Sequence, residues 1–310
     1  MNISTEQIDR LRELLARPAQ RIVIVSHTNP DGDAVGSSLA WAEALRNMGH
    51  SVVCIVPNKY PYFLDWMPGI GEIVIFKNDT EGRAVGAVAE ADMIFCLDFN
   101  SLSRLEILSD TIAANTTARR VLIDHHLSPD EGFDAMFSYP QSSSTCYLVY
   151  RLIEALFGTG AISLPMAEAL YVGMMTDTGN FAFSSLTPEL FRAVAVLVEQ
   201  GIHIPTIHNN VYNAYTEGRA RLFGYAINRK MQIIEEGTVA YMSLMEHEMR
   251  RFQFQQGDSE GFVNYALTIK KMKMSAIFLA HRKFIRVSLR SRGDVDVNLF
   301  ARRYFNGGGH

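Results

Sequence analysis

Apolar positions recur at helical spacing through residues 3–16, where Ile8, Leu11, Leu14 and Leu15 share one face behind a Ser4 or Thr5 cap. The period then changes. Residues 22–25 are wholly apolar and predict a strand, followed by a polar loop and a helix over 34–48 that Gly49 closes. Residues 52–56 predict the next strand and 73–76 a further one. Residues 93–97 and 121–123 are uninterrupted apolar runs, the pattern of parallel strands covered on both faces. Helices fit 145–157 and 166–175. This alternation predicts an α/β fold: an N-terminal doubly wound, mostly parallel sheet with ligands at the carboxyl ends of its strands.

Beyond Thr187-Pro188 the pattern turns helical, over 188–200, 205–213 and 217–229, and these helices are expected to include the connection between domains. After Gly237, strand patterns at 239–244, 275–279 and 284–289 surround a polar helix near 258–270, which predicts a smaller C-terminal α+β domain. The expected division is a first domain over 1–190, a helical linker over 191–236 and a second domain over 237–310. No internal repeat or low-complexity segment interrupts this plan.

Composition narrows the classes. Hydrophobic residues make up 48% and charged residues 20% of the 310, ordinary for a globular chain. A net charge of −4 argues against holding long DNA or RNA on a broad basic face. Cys54, Cys96 and Cys146 lie in apolar surroundings without metal-like spacing, and so predict buried free thiols in a reducing compartment. The first ten residues lack the apolar core of a signal peptide, and no apolar run reaches the roughly 18 residues a membrane span needs. A cytoplasmic protein with no membrane partner is expected.

The chemistry-bearing residues gather at element ends. After the strand at 22–25 comes His27-x-x-x-Asp31-x-Asp33, with Pro30 and Gly32 shaping the loop. Asp98 ends the 93–97 run, Asp124-His125-His126 ends the 121–123 run, and Asp177 follows the helix that closes at Met175. Each motif alone has a plain structural use: a turn, a helix cap, a loop hydrogen bond. Together they put four carboxylates in one region. Asp31, Asp33, Asp98 and Asp177 carry −4, which two divalent cations balance. In two-metal hydrolytic sites the ions lie roughly 3.5–4 Å apart and share a carboxylate, a role that falls to Asp98. His125 supplies an imidazole and Asp177 closes the second ion's set. Asp124 is expected to orient an adjacent histidine. Mixed carboxylate and imidazole ligands suit Mn²⁺, with Mg²⁺, Co²⁺ or Fe²⁺ as alternatives.

In the second domain, residues 284–291 alternate strictly. Arg286, Ser288 and Arg290 share one side, a phosphate clamp in form or else a solvated face. Gly307, Gly308 and Gly309 expose backbone N–H groups suited to an anion, and His310 adds a donor.

On these residues the chain resembles the DHH/DHHA1 phosphoesterases, most closely the stand-alone bacterial nanoRNase/pAp-phosphatase type that is related to exopolyphosphatases. Residues 26–37 (SHTNPDGDAVGS), 97–98 (LD), 123–126 (IDHH) and 176–181 (TDTGNF) are similar to its four DHH motifs. Residues 286–291 and 307–310 are similar to the DHHA1 signatures. The resemblance implies His27, Asp31 and Asp98 on one Mn²⁺, with Asp33, Asp98, His125 and Asp177 on the other. It places His126 on the scissile phosphate, with Arg286, Ser288, Arg290 and His310 on a terminal phosphate or nucleotide. Family members continue past this glycine run, so the second domain is expected to be cut short.

The activity implied is release of nucleoside 5′-monophosphates from very short oligoribonucleotides. Removal of the 3′-phosphate of 3′-phosphoadenosine 5′-phosphate (pAp) and cleavage of linear or cyclic dinucleotides fall within the same reading. The resemblance leaves a homodimer open. The alternatives are an inorganic pyrophosphatase or exopolyphosphatase, or a non-catalytic nucleotide-binding regulator. A Rossmann oxidoreductase is disfavoured because no G-x-G-x-x-G follows the first strand.

Overall fold

The computed structural model describes residues 3–183, 185–305 and 307. Among the described residues the strands are β1 (Arg21–Ser26), β2 (Ser51–Val56), β3 (Val74–Ile75), β4 (Met93–Leu97), β5 (Arg119–Asp124), β6 (Ala135–Ser138), β7 (Gln232–Ile234), β8 (Val239–Leu244), β9 (Met274–Ala280) and β10 (Ile285–Ser291). The helices are α1 (Thr5–Leu15), α2 (Gly32–Asn47), α3 (Arg83–Glu90), α4 (Ser109–Ala114), α5 (Thr145–Phe157), α6 (Leu164–Asp177), α7 (Pro188–Glu199), α8 (Ile204–Tyr212), α9 (Glu217–Tyr225), α10 (Glu246–Arg251), α11 (Phe262–Ala266) and α12 (Val297–Tyr304).

The first sheet runs β3-β2-β1-β4-β5-β6 and every pairing in it is parallel. β4 is buried along its whole length because helices cover both faces. On one face Val23, Val25, Ile94, Cys96 and Leu122 pack with α3 and α4. On the other, α2, α5 and α6 pack on one another, and Trp41 of α2 meets Phe95 edge-on at 5.5 Å. α1 begins with a capping box in which Ser4 and Gln7 each satisfy the other's backbone N–H. The three cysteines are buried free thiols.

The second sheet runs β10-β9-β8-β7, with β8 and β9 parallel and the outer pairs antiparallel. Its core joins Met242, Leu244, Ile277 and Leu279 to Phe262 and Leu222.

The chain divides into two compact units, residues 1–60 with 64–211 and residues 61–63 with 212–310. Residues 191–236, expected as a linker, are therefore not a unit of their own. α7 packs on α6 and α5, whereas Leu222 of α9 and the following Ala226 enter the second core. The polar helix expected near 258–270 is the short α11, whose Phe262, Val263 and Ala266 are buried. Among the described residues no single helix is long and apolar enough to cross a membrane. α7 and α8 reach that length only as a pair bent by 107°.

Candidate metal centre

Strand order reverses between β1 and β4, and in an open parallel sheet that switch point opens a crevice at the carboxyl ends. His27 follows β1 and Asp98 follows β4, so the topology puts them side by side. β5 ends at Asp124, which delivers His125 and His126 to the same edge. Asp31 is the N-cap of α2, its Oδ1 accepting from the amides of Asp33 (3.0 Å) and Ala34 (3.1 Å). That cap starts the helix at Gly32, two residues earlier than the apolar pattern indicates, and places Asp33 in its first turn. α6 likewise runs through Asp177 instead of stopping at Met175, with the Thr178 amide and hydroxyl both closing on the Met174 carbonyl.

The six side chains form two sets that meet at Asp98. Asp98 Oδ2 lies 3.4 Å from His27 Nε2, which is 4.0 Å from Asp31 Oδ2. Asp98 Oδ1 lies 3.5 Å from His125 Nε2, and that nitrogen is 3.4 Å from Asp177 Oδ2 and 3.8 Å from Asp33 Oδ2. His27 Nδ1 sits 2.9 Å from the Thr28 carbonyl and His125 Nδ1 3.3 Å from that of Ser142. A carbonyl can only accept, so each Nδ1 carries a proton and each Nε2 is the atom turned toward the carboxylates. His126 is held differently: its Nδ1 is 2.7 Å from Asp124 Oδ1, while Asp98 Oδ1 is 3.9 Å away.

Close helix packing brings Asp33 and Asp177 together. A Cβ at Gly36 would overlap the Ala169 carbonyl, and one at Gly173 would overlap Cys146 Sγ and crowd Asp33 Oδ1. Replacing Gly173 by alanine is therefore expected to cost about 1–3 kcal/mol of stability, read as a lower urea midpoint in EDTA. An unchanged midpoint would mean that α6 can shift without consequence.

The electrostatics call for cations. Burial, then Asp177, pushes the Asp33 carboxyl up to about 6. Burial, then Asp33, holds Asp98 well above the usual carboxylate range. For His125 burial lowers the pKa, but Asp177, Asp98 and Asp33 outweigh it and raise it to about 9. Without metal, then, protons are retained where charge would otherwise accumulate. Asp177 also stands at the negative end of the α6 dipole, a poor place for a carboxylate unless a cation accompanies it. Three triads, His27–Asp31–Asp98, Asp33–His125–Asp177 and Asp98–His125–His126, each keep their ligand atoms within 4.8 Å. Oxygen and imidazole donors clustered this closely suit a hard or borderline divalent ion, so the residues present fit such a group.

Arg286, Ser288 and Arg290 occupy alternate positions of β10, the edge strand of the second sheet, opposite Leu279, Ile277 and Ser275 of β9. They belong to the other unit. Gly308, Gly309 and His310 lie outside the described residues. Two participants escaped the sequence reading: the amides of Thr145 and Cys146, which donate to Asp33 at 2.6 and 2.8 Å. The run of three serines before Thr145 marks a helix start, but nothing in it points to a carboxylate more than a hundred residues away.

Comparison with known proteins agrees with this geometry. Residues 21–174 match the model of the DHH family, N-terminal domain. The crystal structure of an exopolyphosphatase-related protein from Bacteroides fragilis is 42% identical, covers 99% of this chain and 89% of its own, and superposes with a TM-score of 0.91. The bifunctional oligoribonuclease and PAP phosphatase NrnA of Thermus thermophilus is 27% identical over 98% of this chain and 86% of its own. The protein of the same name from Bacillus subtilis is 24% identical over 93% and 86%. With the motif positions, the parallel sheet and the clustered acids in agreement, the chain belongs to the DHH family of phosphoesterases.

Proposed function

We propose that this chain hydrolyses short phosphodiesters at a centre of two divalent ions, Mn²⁺ in preference to Mg²⁺, Co²⁺ or Fe²⁺. His27, Asp31 and Asp98 hold one ion; Asp33, Asp98, His125 and Asp177 hold the other. The observation that carries this reading is the splayed Asp98 carboxylate, with one oxygen toward His27 and the other toward His125. The substrates are oligoribonucleotides of two to a few residues, released as nucleoside 5′-monophosphates, together with pAp and linear or cyclic dinucleotides. The activities named for the Thermus and Bacillus relatives support that class. Arg286, Ser288 and Arg290, with Gly308, Gly309 and His310, grip the terminal phosphate. The protein works in the cytoplasm, and a homodimer is compatible with all of this.

A pair of divalent ions held by these residues would supply an activated water and offset charge developing on the phosphoryl oxygens. The rest is done by the chain. Asp124, fully buried, accepts from His126 Nδ1–H and so fixes the ring, leaving Nε2 to meet the substrate. Protonated, Nε2 donates to a phosphoryl oxygen and can pass its proton to the departing ribose oxygen. Buried walls around His27, Asp98 and His125 limit competing solvent.

The test is a side-by-side assay, with Mn²⁺, of RNA dinucleotides, pAp, a cyclic dinucleotide, pyrophosphate and polyphosphate. Dinucleotides and pAp are expected to exceed pyrophosphate in kcat/KM by about 100-fold or more. Exclusive turnover of pyrophosphate or polyphosphate would sink the nucleotide reading.

A further inference from the structure

We infer that Thr145 is a positioning residue that ties together the carboxylates of the two proposed ion sites, an inference that rests on the two-ion reading above. Thr145 is the first residue of α5 and fully buried. Its backbone N–H donates to Asp33 Oδ2 at 2.6 Å and its hydroxyl donates to Asp98 Oδ1 at 2.9 Å. Asp33 comes from the start of α2 and Asp98 from the end of β4, so one residue fixes two carboxylates from separate elements. Helix capping does not require this hydroxyl. Ser144 already supplies the cap, its Oγ accepting from the Tyr147 amide at 3.0 Å.

The hydroxyl sets the rotation of the Asp98 carboxylate. Asp98 sits at φ +65°, a left-handed conformation uncommon for a residue with a side chain, and one held at a site where direction matters. Its Oδ1 must face His125 while Oδ2 faces His27. A donor fixed on Oδ1 selects that orientation, and the remaining lone pair on Oδ1 stays available. Asp33 is gripped on both oxygens, by the Thr145 and Cys146 amides, which needs only the backbone. The separable part of the device is therefore the Oγ1–H bond to Asp98. Loss of a partner that orients a metal ligand typically costs 10–100-fold in metal affinity or activity.

The experiment compares wild type, Thr145→Val and Thr145→Ser as full chains. The readouts are Mn²⁺ titration by calorimetry and by the paramagnetic signal of free Mn²⁺, kcat and KM on an RNA dinucleotide, and thermal unfolding in EDTA. Thr145→Val is expected to bind at least one Mn²⁺ about 10–100-fold more weakly and to lose kcat at limiting Mn²⁺ while KM stays within about 3-fold. Excess Mn²⁺ should restore part of the rate, and Thr145→Ser should stay within about 3-fold of wild type throughout. Should valine unfold the chain, Thr145→Ala takes its place under the same criteria. Unchanged Mn²⁺ affinity in Thr145→Val, or equal impairment in Thr145→Ser, overturns the inference and leaves the two-ion reading standing. A wild type that binds no Mn²⁺ overturns both.

Discussion

Replacing Asp98 by asparagine is expected to lower kcat on an RNA dinucleotide by about 10³–10⁴ at saturating Mn²⁺ and to reduce the bound Mn²⁺ below two per chain. Asparagine keeps the volume and one carbonyl oxygen but removes the charge that faces both sets of ligands. Transition-state stabilisation of several kcal/mol is at stake, at about 1.4 kcal/mol per decade of rate. The same change removes a buried carboxyl that Asp33, Asp31 and Asp177 all repel, so the metal-free variant should be no less stable than metal-free wild type. That pairing separates lost chemistry from lost fold. Rate assays, ion counting by elemental analysis after desalting and unfolding in EDTA would check it. Full turnover with two ions still bound would show that the centre is assigned to the wrong residue.

The clustered acids and histidines were legible because strand ends are legible. His27, Asp98 and Asp124 each follow a short apolar run of the kind that forms a buried strand, and parallel sheets gather such ends on one edge. What the pattern could not supply was partnership across the chain. The grip of Thr145 on Asp33 spans 112 residues and uses a backbone amide, which leaves no mark on side-chain chemistry. β6 is only half-buried apart from Phe137, and all three residues of β7 are exposed, so neither shows the alternation that identifies a strand. The division of residues 191–236 between the two units was hard to read for a related reason. Residues 188–230 read as helical throughout, and which core each helix covers is decided by packing, not by its own period.

The repulsion that makes Asp98 dispensable for the metal-free fold has a wider consequence for how stability should vary with pH. Asp33 is raised to about 6 in the folded chain, against roughly 3.9 when unfolded, so the folded state keeps a proton that the unfolded state releases. Its contribution is complete below pH ~4 and is lost as pH rises toward 6, a change of about 3 kcal/mol. His125, raised to about 9 from roughly 6.5, acts in the same direction at higher pH: stability present below ~6.5 is lost on the way to 9. Metal-free protein should therefore weaken steadily from pH 4 to 9. Mn²⁺ reverses the slope, because its ligands must shed those same protons before they can bind. At pH 7.5 and about 100 times Kd, each ion adds roughly 2.7 kcal/mol, so two raise Tm by about 10–20 °C in a unit of this size. The measurement is a pair of Tm-against-pH curves, one in EDTA and one in Mn²⁺, which should diverge as pH rises. If the two curves ran parallel across pH 5–8, the acids and imidazoles would not be exchanging protons for metal, and the centre would have to be something other than an ion cage.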